Sequence, residues 1–139
     1  MVRTWMLLGV WFIVAVASVD AYTDNGNGTV TNQAIGLMWQ KSDDNSPKSW
    51  QDALDYCNGL TLGGYSNWRL PNIKELRSII DDSRVGPTFD PIFAGNTYFE
   101  HWSSTSCADS PDFAWLMSLS SGGVGCYNKT SNYYVRCVR

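Results

Sequence analysis

Few side chains in this 139-residue sequence are of types that do chemistry. His101 is the single histidine, and it precedes the core-like Trp102. A catalytic imidazole needs an acid or a nucleophile within hydrogen-bond reach, and no motif around His101 displays one. The hydroxyls of "WSSTS", 102–106, lack the G-x-S-x-G turn that exposes a nucleophilic serine. They are expected to bond backbone in a strand or turn. Asp81, Asp82, Asp90, Asp109 and Asp112 lie in or near loop regions and could offer oxygens to Ca²⁺; solvation is the simpler role. Asp24, Asn25 and Asn27 lack the acid count and terminal Glu of an EF-hand loop. These patterns describe a protein that is not an enzyme and needs no cofactor, with calcium at the loop aspartates as the alternative.

The cysteines point to a compartment. Cys57, Cys107, Cys126 and Cys137 are even in number and show no C-x-x-C spacing. Zinc and dithiol redox sites are therefore not expected. Two disulfides are the natural use in an oxidising environment, and four cysteines allow three pairings. The N-terminus agrees. Arg3 precedes the apolar run "WMLLGVWFIVAVASV", and Val19 and Ala21 fit the -3 and -1 positions of a signal-peptidase site. The expectation is a signal peptide over 1–21 and a mature domain over 22–139 that is secreted, periplasmic or at the cell surface. The run is short for a full span; a retained segment would instead make it an anchor, the one route to membrane contact. The formal net charge of -3 argues against nucleic acid, which requires a basic surface, and against polyanions such as sulfated glycans.

The elements that must position these residues are punctuated clearly. "YTDNGNGTVTNQAIGLMWQK" holds two Asn-Gly pairs between β-formers, which predicts strand, tight turn, strand over Thr29 to Thr31, then a strand near Leu37 to Lys41. "SWQDALDYCNGL" reads as a helix capped by Ser49 with Asp52 three residues on. Trp50, Ala53, Leu54 and Cys57 share one face, and Gly59 can end the helix. In "SNWRLPNIKEL", Trp68 and Leu70 alternate with Arg69 as in a half-buried strand. Pro71 sets the approach to a second helix capped at Asn72, with Ile73, Leu76, Ile79 and Ile80 facing the core. Arg69 suits forked bonding to a buried carboxylate or to loop carbonyls. Residues 83–101 lose all periodicity, which predicts a long irregular loop region. "YFEHWSSTS", "FAWLMSLSSGG" and "SNYYVRCVR" read as strands.

The succession "TDNGNGTVTNQAIGLMWQ", "LGGYSNWRLPNIKEL", "HWSSTS", "AWLMSL" and "YVRCVR" resembles the Lcl C-terminal domain family, DUF1566. The likeness runs in order across nearly all of 22–139. It implies an α+β, C-type-lectin-like fold, with two helices flanking small antiparallel sheets and a long irregular loop region. It also implies the pairing Cys57–Cys137 and Cys107–Cys126, since such folds tie the first helix to the last strand. The related formylglycine-generating enzymes use a reactive cysteine, but the arrangement they need is not visible around Cys107 or Cys126. The EPN-, QPD- and WND-like motifs of calcium-dependent sugar binding are absent too.

The resemblance implies adhesion, although these 139 residues hold no collagen-like tract. The expected role is an exported binding module that recognises a glycan or a surface protein. The alternative is a structural or assembly subunit of a surface or envelope structure, homo-oligomeric or anchored. The expected binding surface comprises 81–100, 108–112 and 121–133, rich in residues suited to adaptable contacts. Tyr98, Phe99, Tyr127, Tyr133 and Tyr134 bring aromatic rings to it. Arg84, Tyr127, Lys129 and Tyr133 are the candidate ligand-binding residues.

Overall fold

Strands β1 (Tyr22–Asp24), β2 (Thr29–Asn32) and β3 (Met38–Gln40) form an antiparallel sheet in that order in the computed structural model, which describes residues 21–139. The signal-peptide reading of the N-terminal segment lies outside the described residues. The β1–β2 turn is longer than a two-residue Asn-Gly hairpin. Asn25 N–H donates to the Thr29 carbonyl at 3.0 Å, and Gly26 and Gly28 take the positive φ values of 74° and 84° that side chains disfavour. Asn27 Oδ1 accepts from both the amide and the hydroxyl of Thr29, so the asparagines close the loop with their side chains. Register pairs Val30 with Trp39, and both are fully buried.

Helix α1 (Trp50–Gly59) starts where Ser49 Oγ accepts from Asp52 N–H. Gly59 is its last residue and does not take the left-handed conformation; the chain stops being helical at Leu60, which is extended. Helix α2 (Ile73–Ser78) has the complete capping box. Asn72 accepts from Glu75 N–H, and the Glu75 carboxylate accepts from Asn72 N–H. That carboxylate also takes a two-pronged bond from Arg69 at 2.7 and 2.6 Å. The partner predicted for Arg69 is thus a carboxylate, but a surface one already fixed by the helix cap. Trp68 and Leu70 are buried on the other side, and Trp68 Nε1–H donates to the Leu62 and Tyr65 carbonyls.

A second antiparallel sheet follows, β4 (Glu100–Cys107), β5 (Ser110–Ser118) and β6 (Val124–Asn128), with β5 central. The two sheets and two helices make an α+β domain with two adjoining apolar clusters. Leu76 of α2 and Ile79, just past its end, pack with Val30, Trp39, Met117 and Leu119. Ala53 and Cys57 of α1 pack with Trp68, Leu70, Trp102 and Leu116. The segment 81–99 is irregular, as its lost periodicity predicts. It nonetheless contributes core, because Phe89 and Phe93 are buried.

The last segment departs from expectation. It is not a strand of either sheet but runs between elements of both. Tyr133 exchanges backbone bonds with Lys48, Tyr134 bonds Glu100 and Trp102, Cys137 accepts from Gln40, Val138 pairs with Arg69, and Arg139 pairs with Met38. No single neighbour runs alongside it for long enough to form a ladder. Its backbone is therefore satisfied piecemeal, and Val135 through Val138 are all buried.

The disulfides are Cys57–Cys137 and Cys107–Cys126, the pairing that the family resemblance implies. The first ties α1 to the last segment across a sequence separation of 80, the second spans 19. On the chain-entropy account, closing loops of these lengths contributes about 4–5 and about 3 kcal/mol. In urea unfolding, C57A/C137A is expected to lose more stability than C107A/C126A, the additional loss coming from a cavity in the core. Equal losses would contradict the assignment of the first bridge to the core.

Candidate functional site

β6 ends in an aromatic surface built outward from the core. Trp102 is fully buried, and its Nε1–H donates to the Lys48 carbonyl at 2.9 Å. Tyr133 meets Trp102 edge-on, ring centroids 5.0 Å apart, and Tyr127 meets Tyr133 edge-on at 5.6 Å. Edge-to-face contacts at these spacings are the favoured geometry of aromatic pairs. The outermost ring, Tyr127, is 44% exposed. Gly125 lies beneath it: a Cβ there would come within 2.7 Å of the Tyr127 ring. Burial raises the pKa of the Tyr133 hydroxyl, with Tyr127 and Glu100 adding to the effect, so it stays a neutral phenol.

Lys129 stands beside this ladder, and its ammonium is engaged. It lies 4.0 Å from the Trp50 ring centroid and donates to Ser106 Oγ at 2.8 Å and to the Pro111 carbonyl at 2.7 Å. Its backbone bonds Trp50 and Asp112, and Asn128 Oδ1 accepts from the Thr130 amide and hydroxyl. Lys129 thus shapes the loop after β6 more than it offers a free charge. The structure brings Tyr127, Lys129 and Tyr133 together and leaves Arg84 apart. Arg84 pairs with Asp81 at 3.4 Å, on the segment whose Thr88 bonds Leu119 at the other end of the β5–β6 hairpin.

The five loop aspartates are dispersed. Asp81 accepts from Ser83, Asp82 takes a fork from Arg77, and Asp90 accepts from Ile92 N–H. Asp109 lies in the β4–β5 turn and Asp112 early in β5. Among the described residues, no group of three or more His, Cys, Asp or Glu is placed to hold a metal ion.

Tyr133 and Tyr134 point to opposite sides of the last segment, and both are half-buried. Tyr134 stacks with Phe99 at 5.4 Å and tilts against His101 at 5.9 Å. Phe99 and Tyr98 are about half exposed, giving a second aromatic surface.

His101 proves to have the acid partner that its sequence neighbours do not show. Its Nε2 lies 3.3 Å from Asp43 Oδ2 and its Nδ1 lies 3.0 Å from the Phe99 carbonyl. Both the His101 and Asp43 side chains are wholly inaccessible, so no substrate reaches the pair, and it serves the fold. Asp43 also accepts from the Asn96 amide and side chain. That approach requires glycine at 95, where φ is +87° and a Cβ would lie 2.7 Å from Asp43 Oδ1. Arg136, fully buried, donates to the carbonyls of Gln40, Lys41 and Ala94. Burial lowers its pKa to about 10 against the opposing pull of Asp43. Sequence reasoning missed the roles of both: Asp43 lies in no motif, Arg136 sits in the closing "YVRCVR" without a visible partner, and they are far apart along the chain.

The described chain is thus a doubly disulfide-bonded α+β domain with an inaccessible charged centre and aromatic rings at its surface. The family model of the Lcl C-terminal domain matches residues 28–139, and the chain belongs to this family. A comparison with curated proteins finds no match.

The buried centre sets a pH dependence. Burial pushes the His101 pKa below its ordinary value, only partly opposed by Asp43. Burial pushes Asp43 up, but the bonds from His101 and Asn96 and the charge of Arg136 outweigh it and leave it low. Both groups therefore bind protons more readily in the unfolded chain. Stability is expected to be full above about pH 6.5, the ordinary histidine value, and to fall as the pH drops below it. Denaturant unfolding across pH 4 to 8 checks this. In H101Q the upper part of the decline should vanish and only the carboxylate part remain.

Proposed function

We propose that this domain is an exported, C-type-lectin-like binding module that recognises a glycan or a surface protein in adhesion. The carrying observation is the Tyr127 ring, nearly half exposed yet held edge-on against Tyr133, itself held against the buried Trp102. A ring fixed in advance stacks on a sugar face or a partner side chain without the roughly 0.5–1.5 kcal/mol that immobilising a free side chain costs. The Asn128–Ser131 loop beside it offers hydroxyl and amide groups of the kind that orient a polar ligand. Export is supported by the two disulfides and by the N-terminal apolar run. Among the described residues no helix is long and apolar enough to cross a membrane.

One observation favours the assembly reading. Among the described residues β6 is an outer strand with a single partner strand, and Val124 on it is 51% exposed. An open edge of this kind accepts another chain, which suits a homo-oligomer or a subunit of a surface structure.

A glycan array run with and without calcium identifies the ligand class, and two variants then locate the site. Tyr127→Ala is expected to weaken binding about tenfold or more, a loss of about 1.4 kcal/mol, with little change in melting temperature. Arg84→Ala, at the other end of the β5–β6 hairpin, should bind as the parent does. Full affinity in Tyr127→Ala would remove the aromatic ladder from the site. A protein that binds no glycan but self-associates with concentration in sedimentation would favour assembly.

A further inference from the structure

The two disulfides sit in opposite environments. Cys57 and Cys137 have no exposure and lie in the core with Trp68, Leu70, Trp102 and Val135. Cys126 is exposed on β6, and Cys107, at the end of β4, is 7% exposed. Neither Cys107 nor Cys126 belongs to either apolar cluster.

We propose that the Cys107–Cys126 bridge is a thiol-exchange site, opened through Cys126 by a dithiol of the Cys-X-X-Cys class, and that Cys57–Cys137 is closed to the same reagent. Exchange requires a thiolate to reach a sulfur, so access decides which bridge reacts. Among the described residues β6 is hydrogen-bonded as a strand on one side only, to β5, and no strand screens its outer edge. Tyr127 leans over Gly125, and residues 125 and 127 share a face of the strand that Cys126 does not. The ring therefore leaves the Cys126 side clear.

The exchange balances as follows. The attacking thiolate forms a bond to Cys126 Sγ, the Cys107–Cys126 bond breaks, and Cys107 leaves with the electron pair and takes a proton from solvent. The second thiol of the reagent then attacks its own sulfur in the mixed disulfide and releases Cys126. The bridge gains two electrons and two protons, and the dithiol loses them. The opened β6 keeps its β5 ladder but is untied from β4, while α1 and the last segment remain bridged.

The test uses the full chain under native conditions. Dithiothreitol is titrated, free thiols are alkylated, and the cysteines are assigned by peptide mass mapping alongside circular dichroism. Cys107 and Cys126 should become alkylated at a dithiol concentration at least about tenfold lower than Cys57 and Cys137, equivalent to about 30 mV, with the spectrum unchanged. A dithiol oxidoreductase whose second cysteine is replaced by serine should be trapped on Cys126. After selective reduction, amides 124–128 should exchange with deuterium faster, while those of α1 do not. Opening of both bridges together, opening of Cys57–Cys137 first, or trapping on Cys107 would overturn the proposal.

Discussion

One buried cation organises this domain. The Arg136 guanidinium has no contact with solvent, and it lies where the end of β3, the irregular segment and the last segment converge. It donates to three carbonyls, those of Gln40, Lys41 and Ala94, and the Lys41 carbonyl also accepts from Ala94 N–H. Phe89 and Phe93 present their rings to it at 5.9 and 5.4 Å, so the irregular segment is held by π-faces as well as by a backbone bond. Asp43 lies close enough to act on its charge, and Asp43 in turn receives His101 of β4 and Asn96. Among the described residues, Arg136 Nε finds no hydrogen-bond partner. A buried charge of this kind is weak as net stabilisation, but removing it strands every group around it.

The rest of the architecture follows from holding the last segment in place. It gives Val138 to one apolar cluster and Val135 and Cys137 to the other. It carries Tyr133 and Tyr134, each half-buried on its own side, to the two aromatic surfaces. Arg69 meets it in an isolated bridge with Val138, and the Arg69–Glu75–Asn72 clamp then fixes the start of α2. A ring such as Tyr127 is preorganised because the chain of contacts behind it ends in this segment. Aromatic surface and buried framework are joined through Tyr133 and Trp102.

Local signals in the sequence were legible where local physics decides. Ser49 and Asn72 cap helices because their side chains satisfy orphan amides three residues on. Trp68 and Leu70 go inward and Arg69 outward because a strand alternates. The two Asn-Gly pairs announced a turn, but its length depends on Asn27 reaching Thr29, a detail that dipeptide preference does not carry. What stayed hidden is non-local. Nothing near Asp43 or Arg136 in the sequence marks them as buried partners, and Phe89 and Phe93 sit in a stretch with no period. Lys129 looked free because its acceptors, Ser106 and Pro111, come from the distant β4–β5 turn. Arg84 and Tyr127 both looked like loop residues of one surface, and only the β5–β6 register separates them.

The central claim is that Arg136 holds the last segment against both sheets. Urea unfolding of Arg136→Met tests it most directly, since methionine keeps much of the apolar bulk and removes the charge and donors. The account predicts a loss of about 3 kcal/mol or more, the usual consequence of stranding a buried partner charge and its acceptors. A variant within about 1 kcal/mol of the parent, the range of a surface ion pair, would contradict it.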